Sequence, residues 1–287
     1  MRPALNRHPC PNRRRLLARL AAALSTVALP HLVVADVPPS EPVSFGVFPY
    51  LPALEIGRQF GPMASALSAT LGRPVGLQTK SGFPAFRAAL HEARYDIALL
   101  HPFLYSDIVQ VQDYRPLARL EDDLAGVVVA PPDLQIASFA DLRGDTLAVP
   151  PALSGVAQLV ELELRQAGLD GPDGVRLAHY RTKTACVHAI LTGQATACVI
   201  PTFFLGQLAA AAAVPLEAKF ATKSVPGILF VGHGRLGDAV LDHLQRALVG
   251  WNGTADGRRL LAGLGWSGLA RVGPGDYDTA ELRLLAD

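Results

Sequence analysis

Short apolar runs alternate along this chain with stretches in which apolar residues recur every three or four positions. Residues 43–47 read as a strand ended by Pro49 and Pro52. Residues 61–71 read as a helix, with Met63, Leu67 and Leu71 on one face, and Gly72-Arg73-Pro74 stops it. A strand at 75–79, a helix at 83–93 with Phe86, Ala89 and Leu90 inward, and a buried strand at 95–100 follow. This rhythm predicts a parallel sheet covered on both faces. Beyond the apolar runs 117–120 and 126–130, which flank the acidic loop Glu121-Asp122-Asp123, a second alternating set begins. It comprises a short helix opened by Ser138, a strand at 146–149, helices at 154–167 and 184–191, and a strand at 197–200. Residues 227–231 read as a strand returning to the first unit, and helices at 238–249 and 254–264 close the chain. The prediction is α/β: two lobes, residues 36–133 plus 227–287 and residues 134–226, joined by a two-crossing hinge over a cleft.

Composition narrows the function classes. Six of the 26 Lys and Arg residues fall within residues 1–35, and none of the 25 acids does, so the remainder carries about five net negative charges. No basic face for nucleic acid is expected. The same 35 residues read as a cleavable export signal: a basic stretch to Arg19, an apolar segment from Leu20 to Val34, and the small residues Val33 and Ala35 before the cut. The expected location is therefore the periplasm. The apolar segment is shorter than the roughly 20 residues a membrane span needs, and it contains Pro30. Arg13-Arg14-Arg15-Leu16-Leu17 weakly resembles a twin-arginine signal.

Two cysteines then remain, Cys186 and Cys198. In an oxidising compartment an even pair is a disulfide candidate. Gly232-His233-Gly234-Arg235-Leu236-Gly237 matches a dinucleotide fingerprint on paper, but two helices follow where a strand ending in an acid is required. Neither a phosphate-binding P-loop nor a nucleophile elbow nor a zinc-helix motif is present, and no paired acid/base arrangement stands out. The expectation is a binding protein without catalytic residues, cofactor or metal.

The segments 81–86, 95–98 and 101–105 resemble the first-lobe signature of the phosphate/phosphite/phosphonate ABC-transporter substrate-binding family (PhnD-like proteins). Residues 141–146 with 150–155, residues 182–201, and the closing segment around Trp266 and Asp276-Tyr277-Asp278 are similar to further blocks of it. The resemblance spans roughly residues 43 to 280. It implies a type II periplasmic binding fold that closes over a small solute, an oxyanion of the phosphonate or phosphite class, and hands it to an ABC permease. A membrane sensor kinase is the alternative partner.

The resemblance also implies a first wall made by Tyr50, Phe83 and Tyr105, with His101 at a strand end. Phe83 reads equally as a core residue, and Phe48 could stand in for Tyr50. His101 reads either as an anion donor titrating near neutral pH or as a satisfied structural histidine. The second wall is the turn Ala152-Leu153-Ser154-Gly155-Val156, where Ser154 and Gly155 fit an oxyanion site at a helix N-terminus. Ser154 reads equally as a plain N-cap. Thr182 and Lys183 follow, Lys183 pointing to the ligand or to solvent. Leu153 is expected to make this wall more apolar. Pro201 stands where aminophosphonate binders carry an acid. Some relatives sense arsenite, so a free thiol pair at Cys186 and Cys198 is the alternative to a disulfide.

Overall fold

The apolar run Val43–Val47 forms β1, buried along almost its whole length because both faces are covered. The structure is a computed structural model, and residues 41–205, 215–273 and 275–277 are described, the side chains of Lys183 and Phe203 excepted. Residues 1–35, read above as an export signal, and Asp278 lie outside the described residues.

Helix α1 (Ala53–Leu71) follows β1, then β2 (Val75–Gln78), α2 (Phe83–His91), β3 (Ile97–Leu100), α3 (Pro102–Ile108) and β4 (Tyr114–Leu120). Helix α1 begins eight residues before the predicted start at Gly61. A start at Gly61 leaves out Ile56 and Phe60, yet Ile56, Phe60, Met63 and Leu67 are all buried and share one face. That burial carries the helix through Pro62 despite the backbone hydrogen bond a proline cannot make. The second set is β5 (Gly126–Ala130), β6 (Thr146–Val149), α4 (Gly155–Gln166), β7 (Arg176–His179), α5 (Lys183–Leu191), β8 (Ala197–Pro201) and β9 (Glu217–Ala221). The chain closes with β10 (Leu229–His233), α6 (Asp238–Gly250), α7 (Ala255–Gly263) and β11 (Leu269–Ala270).

Two sheets result. The first has the order β11-β4-β10-β3-β1-β2 and the second β7-β6-β8-β5-β9. β1 runs parallel to β2 and β3, and β6 runs parallel to β7 and β8. The sheets are mixed rather than wholly parallel, because β10 runs antiparallel between β3 and β4, and β5 antiparallel between β8 and β9. Strand β5 was expected in the first lobe, but it pairs in the second sheet. A fully apolar run does not announce which sheet it joins, and the predicted lobe boundary fell after Asp133. The passage instead lies in the acidic segment before Gly126.

The chain thus crosses between sheets twice, from β4 to β5 and from β9 to β10. The crossings are stitched together: Leu124 and Val225 exchange backbone hydrogen bonds of 2.8 and 3.0 Å. The Thr222 hydroxyl accepts from the Gly126 N–H at 2.9 Å, and the Tyr277 hydroxyl donates to the Gly227 carbonyl at 2.7 Å. A relay of rings links the core of the first sheet to this region. Phe45 packs on Phe230, Phe230 on Trp266, Trp266 on Phe60, and Phe60 on Tyr50, with centroids 5.9–6.2 Å apart.

The Gly232-to-Gly237 motif falls on the end of β10, an antiparallel strand, and not in a strand–helix–strand unit. Gly232 is explained by packing, since a Cβ there would meet Leu241 and Leu117 side chains. No helix among the described residues is long and apolar enough to cross a membrane.

Candidate binding cleft

The residue immediately after each parallel strand tends to face whatever lies beyond the strand ends. Phe48 follows β1, His101 follows β3, Pro150 follows β6 and Tyr180 follows β7, while Pro201 ends β8. All five line one cavity of about 430 Å³. The first sheet's side of it is Phe48, Tyr50, Phe83 and His101, with Glu55 and Gln59 from α1. The second side is Pro150, Pro151, Ser154, Gly155, Val156, Thr182, Thr184 and Phe204. Leu124 from one crossing and Ile228 from the other complete it.

Four helices of eight or more residues begin at this cavity: α1, α2, α4 and α5. The first N–H groups of a helix have no partner inside it, and the helix dipole adds partial positive charge there. Two of these starts carry side-chain caps. The Ser154 hydroxyl accepts from the Ala157 N–H at 3.3 Å, and the Thr182 hydroxyl accepts from the Ala185 N–H at 3.1 Å. Each hydroxyl keeps its own proton for another acceptor. The turn before Ser154 is held by the Ser154 N–H donating to the Pro151 carbonyl at 2.7 Å. The cavity therefore concentrates hydrogen-bond donors on its second wall.

Its first wall is aromatic. Phe48 stacks on Tyr50 at 4.8 Å, and Phe83 sits 6.2 Å from Phe48. Tyr50 faces Phe204 across the cavity at 6.4 Å. Burial, and secondarily the Glu55 charge, push the Tyr50 hydroxyl far above the usual phenol range, so it stays a neutral donor. Among the described residues, the charged ones on the lining are Glu55, hydrogen-bonded to Arg58 and Gln59, and the exposed Arg181.

His101 does not titrate near neutral pH as one reading had it. It is 1 % exposed, and burial drives its pKa down to about 3. Its Nδ1 caps α3 by accepting from the Leu104 N–H at 3.4 Å, and its Nε2 lies 3.0 Å from the Leu153 carbonyl. With Nδ1 accepting, the proton resides on Nε2, which donates to Leu153. The side chain thus spans from the first wall to the second. Gly155 makes the approach feasible: a Cβ there would lie 2.6 Å from a Leu124 methyl and 3.2 Å from His101 carbons.

Of the residues picked from sequence, Tyr50, Phe83, His101, Ser154, Gly155 and Thr182 come together on this lining. Tyr105 does not; it is buried on α3 and packs edge-on against Tyr277 at 5.6 Å. Lys183 opens α5, but its side chain lies outside the described residues. Pro201 is on the lining, whereas Leu153 is not: it offers its carbonyl to His101 and packs its side chain on the core. Cys186 and Cys198 form a disulfide with Cα atoms 5.9 Å apart, and Cys186 reaches the lining. Phe204, Tyr180 and Thr184 were missed. The strand-end rule could have found Tyr180. Among the described residues no group of three His, Cys, Asp or Glu side chains could hold a metal.

Solved structures share this fold. A binding-protein component of an ABC phosphonate transporter from Pseudomonas aeruginosa superposes with a TM-score of 0.71 at 16% identity, over 86% of this chain and 87% of its own. PhnD1 from Prochlorococcus marinus, in complex with methylphosphonate, gives 0.72 at 13%, over 85% and 96%. A Xanthomonas citri protein bound to ATP gives 0.71 at 16%, over 86% and 96%. No curated protein sequence matches the chain. The family model described as ABC transporter, phosphonate, periplasmic substrate-binding protein matches residues 45–277, and the chain belongs to that family.

Proposed function

We propose that this protein is exported to the periplasm, captures a small oxyanion of the phosphonate or phosphite class between its two sheets, and presents it to an ABC permease. The observation that carries the reading is the convergence of the α4 and α5 N-termini, capped by Ser154 and Thr182, on a cavity shared with the aromatic first wall. Backbone N–H groups at helix starts bind anions, and Arg181, next to Thr182 on the lining, adds a positive charge beside the start of α5. Tyr50, Phe83 and His101 are assigned the opposite wall, and Gly155 the close approach between walls. Closure is a hinge motion about the paired crossings at Leu124 and Val225. The family is one of solute-binding proteins, and its match favours a permease as partner over a sensor kinase.

A thermal-shift screen of phosphate, phosphite, methylphosphonate, arsenite, sulfate and ATP, with neutral sugars and alcohols alongside, tests it, because a ligand that binds only the folded state raises the unfolding midpoint. At least one phosphorus oxyanion is expected to raise it in a saturable way. A shift with neutral organic solutes and none with any anion would overturn the oxyanion reading.

A further inference from the structure

The cavity is larger than a bare oxyanion needs. At roughly 30 Å³ for each water-sized group, the five heavy atoms of methylphosphonate take about 150 Å³, against about 430 Å³ present. The excess volume has a chemical character. With an anionic head at Ser154 and Thr182, the rest of the solute meets Phe48 stacked on Tyr50, and Phe204 facing Tyr50 at 6.4 Å. Pro201, at the end of β8, offers neither charge nor a backbone N–H. The acid nearest this wall, Glu55, is already hydrogen-bonded to Arg58 and Gln59.

We infer that the solute is an organic oxyanion whose head is joined to an uncharged apolar or aromatic substituent, received by Phe48, Tyr50, Phe204 and Pro201. The inference rests on the oxyanion reading above and deepens it. Flat rings gain from offset or edge-on packing against such a wall, beyond the area they bury. Among the described lining residues, an ammonium-bearing substituent meets one carboxylate, Glu55, which is already hydrogen-bonded.

Calorimetric titration of protein stripped of co-purified solute tests this, with phosphate, methylphosphonate, phenylphosphonate and 2-aminoethylphosphonate as probes. Phenylphosphonate is expected to bind at least about tenfold more tightly than methylphosphonate, from the added apolar burial. Phe204→Ala should remove most of the phenylphosphonate-to-methylphosphonate affinity ratio, while Phe204→Leu keeps part of it. Equal or tighter binding of phosphate or methylphosphonate would overturn the inference, as would 2-aminoethylphosphonate binding tightest, or Phe204→Ala weakening both probes alike. If the acids bind without regard to substituent, this inference alone falls. If none binds, the oxyanion reading falls with it.

Discussion

The Nε2 of His101 lies 3.0 Å from the Leu153 carbonyl oxygen, so a buried imidazole carried by the first sheet donates directly to the turn that opens α4 under the second. This bond joins the two walls with no solute between the partners. On the proposed hinge closure, the bond would favour the closed arrangement and hold the turn that carries Ser154. His101→Ala removes the donor and leaves the half-buried Leu153 carbonyl without this partner, a loss of about 1–3 kcal/mol. Solute affinity is expected to fall about tenfold, and small-angle scattering should show a more open particle at subsaturating solute.

Acid should act on the same bond. The unfolded chain protonates this imidazole near 6.5, whereas the folded chain resists until about 3. The unfolded state therefore binds more protons in between, and stability rises with pH across that window. The contribution is complete above about pH 6.5 and is lost progressively toward pH 3, on the order of a few kcal/mol in all. Denaturant unfolding at pH 7 and pH 4.5 should show a larger drop for the natural protein than for His101→Gln. Equal drops would contradict the assignment of a neutral, buried imidazole.

Gly155 is the complementary test. Its missing Cβ leaves room for His101 and Leu124, with prospective contacts of 3.2 and 2.6 Å. Gly155→Ala adds a methyl group at a position where alanine suits a helix better than glycine. The variant should fold, yet bind solute at least about tenfold more weakly, because overpacking of about 1–3 kcal/mol falls on the closed arrangement. Unchanged affinity would show that the walls do not need this contact.

The disulfide ties the first half of α5 to β8 across 12 residues of sequence. Closing a loop of about 15 residues removes about 3 kcal/mol of unfolded-chain entropy in the simplest account. Cys198→Ser, or reduction of the natural protein, should lower unfolding free energy by about 2–4 kcal/mol. Loss of solute affinity should accompany it, since Cys186 lines the cavity four residues after Thr182. Two thiols titrating in the unfolded, unreduced protein would contradict the bond.

Periodicity exposed most of the elements and the two-unit plan, because core-facing residues must recur with the period of their element. It missed the first two turns of α1, because the predicted face was taken from Met63, Leu67 and Leu71, and the burial of Ile56 and Phe60 is a tertiary fact. It also put β5 in the wrong sheet, since five apolar residues look the same beside either partner. The cleft was legible at Tyr50, Phe83, His101, Ser154, Gly155 and Thr182 through family resemblance and capping chemistry. It failed at Tyr105, which folds back onto Tyr277, a residue far along the chain. Phe204 was invisible for a similar reason, because its place depends on Tyr50 opposite. His101's role as a bridge required knowing where the Leu153 carbonyl points.

The proposed grip on an anionic head is made by the donors at the starts of α4 and α5. Its most direct test is calorimetric titration of stripped protein with phenylphosphonate and with its neutral diethyl ester, repeated on a Ser154→Ala/Thr182→Ala double variant. The account predicts one-to-one binding of the acid, no measurable binding of the ester, and about a tenfold or greater loss in the double variant, each hydroxyl contributing on the order of 1 kcal/mol. Ester binding as tight as the acid, or a double variant with undiminished affinity, would contradict it.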